Sequence, residues 1–329
     1  MCLSDLQRFS LLIPLLLWTP LAAFGADMTP VATGVVQQAR DLANNGRLPE
    51  AAVLLETNRA LADANNNEYY EGVILNSLGL VYQKQENYLQ AQKAFDSSIA
   101  LLTRARGENN SALLQVLNNQ SQLLYEAGQF SQAEALVRRN LAVRNTIGEN
   151  DANTGTEIGM LGRVYLAEHK YPQAKQCAED SLKILEKEGH ADGLSAALAY
   201  SILGAVYTEY DEYTGAQQSL ERSLSLLQKS LDPDDYRIAQ GMANLGLLYA
   251  DQGITGKAEP LLENAHAFFR SIGMNNMFTR EFLARWAALE RKWGHRKKAK
   301  ELINEVKALE ATSPVATFSR YVVDASAYR

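Results

Sequence analysis

The side chains best suited to chemistry are scattered through this sequence. Its four histidines are His169, His190, His266 and His295. No two stand three or four residues apart, the spacing that brings two imidazoles to one helix face. A metal site needs three or four converging ligands, and no local cluster supplies them. Gly253-Ile254-Thr255-Gly256-Lys257 is reminiscent of a phosphate loop, but its glycines are wrongly separated and Ala258 stands where Ser or Thr is required. It marks a turn instead. Asp234-Asp235, and Glu149 with Asp151, offer paired carboxylates. Acids in connectors more often cap helices and solvate turns. Two Asn-x-Ser sequons occur, at Asn109 and Asn119, and they matter only along a eukaryotic secretory route. The expectation is a protein that is not an enzyme and has no metal site and no cofactor.

The elements that would have to position these residues are legible from a repeat. Small residues recur at 40 to 42 positions: Ala39, Gly79, Ser121, Gly162, Gly204, Gly246 and Ala287. Each is followed twelve residues later by alanine: Ala51, Ala91, Ala133, Ala174, Ala216, Ala258 and Ala299. A fixed period in this range marks a solenoid, whose units bury their apolar faces only against neighbours. In the best copy, Leu75, Leu78, Gly79 and Tyr82 lie on one helical face. Asn87 breaks the pattern, and Tyr88, Ala91, Phe95 and Ser98 begin a second helix. The frame returns as Ile158, Leu161, Gly162, Tyr165, Tyr171 and Ala174, then as Leu203, Gly204, Tyr207, Tyr213 and Ala216, and as Leu245, Gly246, Tyr249 and Ala258. Glycine inside a helix costs about 1 kcal/mol relative to alanine. Close approach of two helices, with Ala91 or Ala174 facing the glycine, is the expected offset.

This pattern resembles the tetratricopeptide repeat, with its small residue, tyrosine and alanine in order. The period is longer than that repeat's usual one, and Thr103, Asn145, Glu186, Gln228 and Arg270 replace the closing proline. The long form is similar to the repeats of kinesin light chain, as are the connectors from Gly107 to Ser111 and Gly148 to Ala152, and the Asn118-Asn119 pair. The resemblance implies an all-α fold, a right-handed superhelical solenoid of about seven helix-turn-helix repeats. Their expected bounds are 31–64, 72–105, 114–147, 155–188, 197–230, 239–272 and 280–311, within an array spanning 26–312. The third copy (Leu124 for tyrosine) and the last (Glu290 for tyrosine) depart from the frame.

In such arrays first helices line the concave face, so the resemblance implies ligand contacts from that side. The positions are Arg40, Asn76, Gln83, Lys84, Asn118, Asn119, Gln122, Tyr125, Arg163, Thr208, Glu209, Asn244 and Asp251. Asparagine and glutamine there can hydrogen-bond an extended peptide backbone, and Arg163 and Lys84 can hold an acidic group. The implied partner is a protein or peptide, without a small-molecule cofactor. A formal charge of −6 argues against a general nucleic-acid binder, which needs a basic face.

Residues 9–26 carry no charge, follow Arg8 and end in small residues. They are expected to be a secretory signal peptide over 1–25, with a periplasmic or secreted mature protein. A retained inner-membrane anchor, serving an envelope scaffold, is the alternative. Cys177 is then the mature chain's one cysteine and is expected to be a buried apolar side chain. Arg291 to Lys300 holds six basic residues, either as solvated cover for the last repeat or as a contact for an anionic surface. Residues 313–329 turn to β-branched and aromatic types and are expected to be an extended tail.

Overall fold

The computed structural model describes residues 30–312. The expected signal segment and tail lie outside them. Fourteen helices and no strand occur among the described residues, and they pair into seven hairpins. These are α1 (Pro30–Asn44) with α2 (Leu48–Ala64), α3 (Glu68–Lys84) with α4 (Tyr88–Arg106), and α5 (Ala112–Glu126) with α6 (Phe130–Ile147). Then follow α7 (Ala152–Ala167) with α8 (Tyr171–Lys187), α9 (Leu194–Glu209) with α10 (Tyr213–Ser230), α11 (Tyr236–Asp251) with α12 (Thr255–Ser271), and α13 (Met277–Lys292) with α14 (Arg296–Ala311). Two compact units result, one holding α1 to α6 and the other α7 to α14.

First helices begin one to four residues ahead of the expected bounds, and at α3, α7, α11 and α13 a polar N-cap sets the start. Asn67 Oδ1 accepts from the Tyr70 amide, Asp151 from Asn153 and Thr154, Asp235 from Arg237, and Asn276 from Thr279. Each cap satisfies an amide that would otherwise lack a helical partner. Within every hairpin a three-residue turn separates the helices, and its middle residue is left-handed. Glycine takes that seat at Gly46, Gly128, Gly253 and Gly294, whereas Glu86, His169 and Asp211 hold it with φ of 58°. The three exceptions share a feature: tyrosine two residues on, at Tyr88, Tyr171 and Tyr213.

The recurring glycines serve close packing, but not against the residue expected. A Cβ on Gly79 would sit 2.4 Å from the Phe95 ring, and one on Gly204 2.5 Å from Leu220 Cγ. On Gly246 it would meet Leu262 at 2.9 Å. The obstructing side chain thus lies one helical turn beyond the conserved-frame alanine. The alanine is met only through its carbonyl, Ala216 at 3.4 Å from the Gly204 position and Ala174 at 3.3 Å from that of Gly162, where Cys177 Cβ lies at 3.0 Å. Cys177 itself is half-buried rather than buried. A second link recurs 26 residues apart inside the hairpins: Ser98 Oγ donates to the Gly72 carbonyl, Ser181 to Gly155 and Ser223 to Ala197, each at 2.7 Å. In the third hairpin Asn140 Nδ2 makes the same bond to Leu114.

The frame tyrosine ties neighbouring hairpins together. Tyr82 donates to Glu56 Oε1 at 2.6 Å and Tyr249 to Glu221 Oε1 at 3.1 Å. Burial, then the Glu56 contact, pushes the Tyr82 phenol up to about 12. In the third hairpin Leu124 is simply buried. In the last, fully buried Glu290 replaces the tyrosine, accepting from Trp286 Nε1 at 2.8 Å and pairing with His295 Nδ1 at 2.7 Å.

The glycine seats generate a contrast. Gly79→Ala must displace the Phe95 ring and should destabilise the protein by about 1–3 kcal/mol. Gly34→Ala, in α1 with nothing within 4 Å, should instead stabilise it by roughly 0.5–1 kcal/mol. Urea denaturation followed by circular dichroism measures both, and equal effects at the two positions would contradict the packing account.

Candidate partner-binding site

In each unit neighbouring first helices touch: α1 with α3 and α3 with α5, then α7 with α9, α9 with α11 and α11 with α13. Successive second helices make no comparable contact. The inner side of each unit is therefore built from first helices, and the residues expected to meet a partner fall on or just beneath it.

In the first unit two of these residues are removed from reach. Asn76 and Asn119 are only 4% and 1% exposed, and Asn119 Nδ2 donates to Asn76 Oδ1 at 3.0 Å. They close the α3–α5 contact. A buried amide without a partner costs about 1–3 kcal/mol, so each holds the other in place. Outside them lies a half-buried polar strip. Gln83 Nε2 donates to Glu126 Oε2 at 3.1 Å, Gln122 Nε2 to Glu126 Oε1 at 2.6 Å, and Lys84 Nζ to Asn44 Oδ1 at 3.3 Å. Burial lowers the Lys84 ammonium and the Arg40 guanidinium below their ordinary values. Asn118 is half-buried, and the half-buried Tyr125 ring packs 5.6 Å from that of Phe130.

In the second unit Arg163 is half-buried on α7. Thr208, Glu209 and Asn244, separated in sequence, line one groove of about 190 Å³. Leu166, Ala205, Leu247 and Leu248 contribute its apolar lining, and His169, Tyr171 and Arg285 join its polar wall. Tyr171 Oη donates to Glu209 Oε2 at 3.1 Å and stands 2.9 Å from His169 Nδ1. With the phenolic proton directed at Glu209, the imidazole nitrogen is the donor to Tyr171. Burial, then Glu209, raises the Tyr171 phenol above its usual range. Asn244 Nδ2 makes a long 3.4 Å bond to Ser201 Oγ. Asp251 lies beside the groove and pairs with Arg285. Burial raises the Glu281 carboxyl, against the pull of His169 and Arg280.

His169, Tyr171 and Arg285 were not among the positions expected to meet a partner, although Tyr171 belongs to the repeat frame. The frame singles out first helices, whereas His169 lies in a turn and Tyr171 opens a second helix. A signal did exist: the hairpin turns where glycine is replaced, each followed by tyrosine. Arg285 gave none, since it reaches the groove only through the stacking of α13. No group of three or more His, Cys, Asp or Glu among the described residues could hold a metal ion.

The basic run divides. Lys298 pairs with Glu263 at 2.8 Å and His295 with Glu290, while Arg291, Lys292, Arg296, Lys297 and Lys300 are exposed.

The tetratricopeptide repeat family matches residues 70–146 and 194–271, the stretches that form α3–α6 and α9–α12. This chain is a tetratricopeptide-repeat protein. No curated protein matches its sequence. Solved tetratricopeptide-like structures resemble it at the level of fold. A putative kinesin light chain of Podosopora anserina, with nearly identical TPR-like repeats, is 18% identical with a TM-score of 0.52, over 61% of this chain and 98% of that one. A Rap protein complexed with Competence and Sporulation Factor is 13% identical with a TM-score of 0.63, over 88% and 90%. NprR in complex with its cognate peptide NprX is 14% identical with a TM-score of 0.61, over 91% and 87%. Tetratricopeptide-repeat proteins are in general non-catalytic scaffolds, and the fold of the described residues is that of a protein-interaction module.

The asparagine pair yields a double-mutant cycle. Asn119→Leu alone strands the Asn76 amide and should cost about 1–3 kcal/mol. Adding Asn76→Leu should cost less than the sum of the singles, read from denaturation midpoints. Strict additivity would mean that the two amides do not support one another.

Proposed function

We propose that this protein binds an extended segment of a protein partner along the first-helix side of its repeats, principally in the groove of the second unit. The observation carrying this reading is that groove. Three successive first helices and the start of a second helix bring Tyr171, Thr208, Glu209, Asn244 and Arg285 around an apolar lining. Apolar surface with a few oriented polar groups is the usual make-up of a binding cleft. Asn244 suits main-chain amides, whose recognition is indifferent to side-chain identity. His169 holds a left-handed turn seat that four other hairpins give to glycine. Such strain persists where the surroundings require it, and it clusters at binding sites. Two structures of similar fold hold partners, Competence and Sporulation Factor in one and the peptide NprX in the other. A stacked array loses little freedom on binding, so modest contacts suffice when spread along it. In the first unit the accessible contacts are Asn118, Gln122, Tyr125 and Lys84, with Arg163 opening the second.

Panning a displayed peptide library against the full chain tests this. Selected peptides should bind at least about tenfold more weakly to Tyr171→Ala/Asn244→Ala, with helicity unchanged. Undiminished binding by that variant would remove the groove from consideration.

We further propose that the protein is exported, with residues 1–25 acting as a cleaved signal peptide. No helix among the described residues is long and apolar enough to cross a membrane. N-terminal sequencing of the protein from cells should begin near Ala26 or Asp27. An intact Met1 would point instead to a retained anchor.

A further inference from the structure

The outer face of the hairpin α13–α14 carries a concave groove of about 490 Å³. Ala284, Ala287 and Ala288 of α13, with Ile303 and Val306 of α14, make its apolar floor. The repeat shows what a face of this form receives. Forty-one residues earlier, on α11 and α12, the same positions are Ala243, Gly246, Leu247, Leu262 and Ala265. All are buried, and their side chains share a core with Phe282, Leu283 and Trp286 of α13. The seat is thus shaped for a helix, and no helix among the described residues occupies it.

The rim of the seat has changed in one direction only. Ala250, Asp251, Thr255, Glu259 and His266 are succeeded by Arg291, Lys292, Arg296, Lys300 and Lys307. Two of the earlier positions show what this rim meets. Asp251 pairs with Arg285, and His266 Nε2 lies 3.0 Å from Glu305, both in the following hairpin. On the outer face both positions are lysine. Helical spacing keeps the cations beside the floor: Arg291 continues the row of Ala284 and Ala288, while Arg296, Lys300 and Lys307 share a row with Ile303. All five are exposed, and their side chains make no ion pair, hydrogen bond or ring contact among the described residues. Of the other described lysines and arginines, only Lys93, Lys183 and neighbouring Lys297 share that condition. Glu310 is the one carboxylate lining the groove, and Lys307 stands one turn before it. Cover against water requires polar side chains, but neither an apolar floor nor a single sign of charge.

We propose that this face seats an amphipathic helix of a partner protein, with carboxylates flanking the helix's apolar stripe. The stripe covers the alanine floor as α13 covers the corresponding seat one repeat earlier, and the carboxylates meet Arg291, Arg296, Lys300 and Lys307. A second copy of the chain meeting it face to face is disfavoured, because these cations would oppose one another. A flat lipid surface meets the rim but leaves the concave floor unfilled. The inference shares no residue with the partner groove and stands without it.

Panning a displayed library of amphipathic helices against the full chain, with Glu, Gln and Lys all allowed beside the apolar stripe, tests this. Recovered clones should carry mainly glutamate at those sites. They should bind at least about tenfold more weakly to Arg291→Gln/Lys300→Gln/Lys307→Gln, which alters only exposed side chains. Against Arg291→Glu/Lys300→Glu/Lys307→Glu the library should instead yield lysine-flanked clones. Failure to recover clones, clones without a charge preference, or clones that the glutamine variant binds unchanged would each overturn the proposal. Clones weakened by Tyr171→Ala/Asn244→Ala would do so too, because they belong to the partner groove. Capture on phosphatidylglycerol vesicles that the glutamine variant abolishes, with no clone recovered, would assign the face to a membrane instead.

Discussion

Everything in this protein depends on how closely the two helices of a hairpin can approach. Where the first helix has no side chain, at Gly79, Gly204 and Gly246, the second seats Phe95, Leu220 or Leu262 directly on its backbone. Three residues further on, Ser98 and Ser223 donate to first-helix carbonyls. The glycine raises the free energy of the isolated helix, and the dispersion contacts and buried hydrogen bond it permits offset that loss. The two links also fix the hairpin's register, since neither survives a shift of one residue. A rigid hairpin can then present the same face to each neighbour.

Stacking these hairpins sets up a conflict that the protein resolves differently along its length. Inner faces must be apolar enough to pack yet polar enough to meet a partner. In the first unit the conflict is settled inwardly, because Asn76 and Asn119 satisfy each other and close the contact. In the second unit small and apolar residues at Ala205, Leu247 and Leu248 leave room, and the polar groups stand around a groove. The left-handed turn residues belong to the same economy of space. His169 and Asp211 each bond the tyrosine two residues on, so the strain at the turn is compensated locally and the ring is held at the edge.

The last described hairpin is built differently from the others. Glu290 is buried where the other hairpins place tyrosine or leucine, and its carboxyl oxygens accept from Trp286, face His295 and pair with Lys298. Lys298 also lies 4.6 Å over the Trp286 ring. Part of the basic run is thus drawn inward to neutralise one carboxylate, and the remaining cations face water or rim the outer groove.

Period and residue type determined the helical hairpins, their number and the membership of the repeat family, because an apolar stripe with a small residue every 40 to 42 positions has only one economical way to bury itself. They also singled out Thr208, Glu209 and Asn244, which sit on a fixed helical face. Tertiary structure decided the rest. That Phe95, rather than Ala91, presses on Gly79 depends on side-chain direction across the hairpin. That Asn119 faces Asn76 while adjacent Asn118 stays half-exposed depends on the rotation of α5 against α3. That Arg285 joins Tyr171 and His169 depends on stacking over more than a hundred residues of chain. Local periodicity specifies which side of a helix is inward; only packing against a neighbour specifies whether an inward polar group is sealed or left open to a partner.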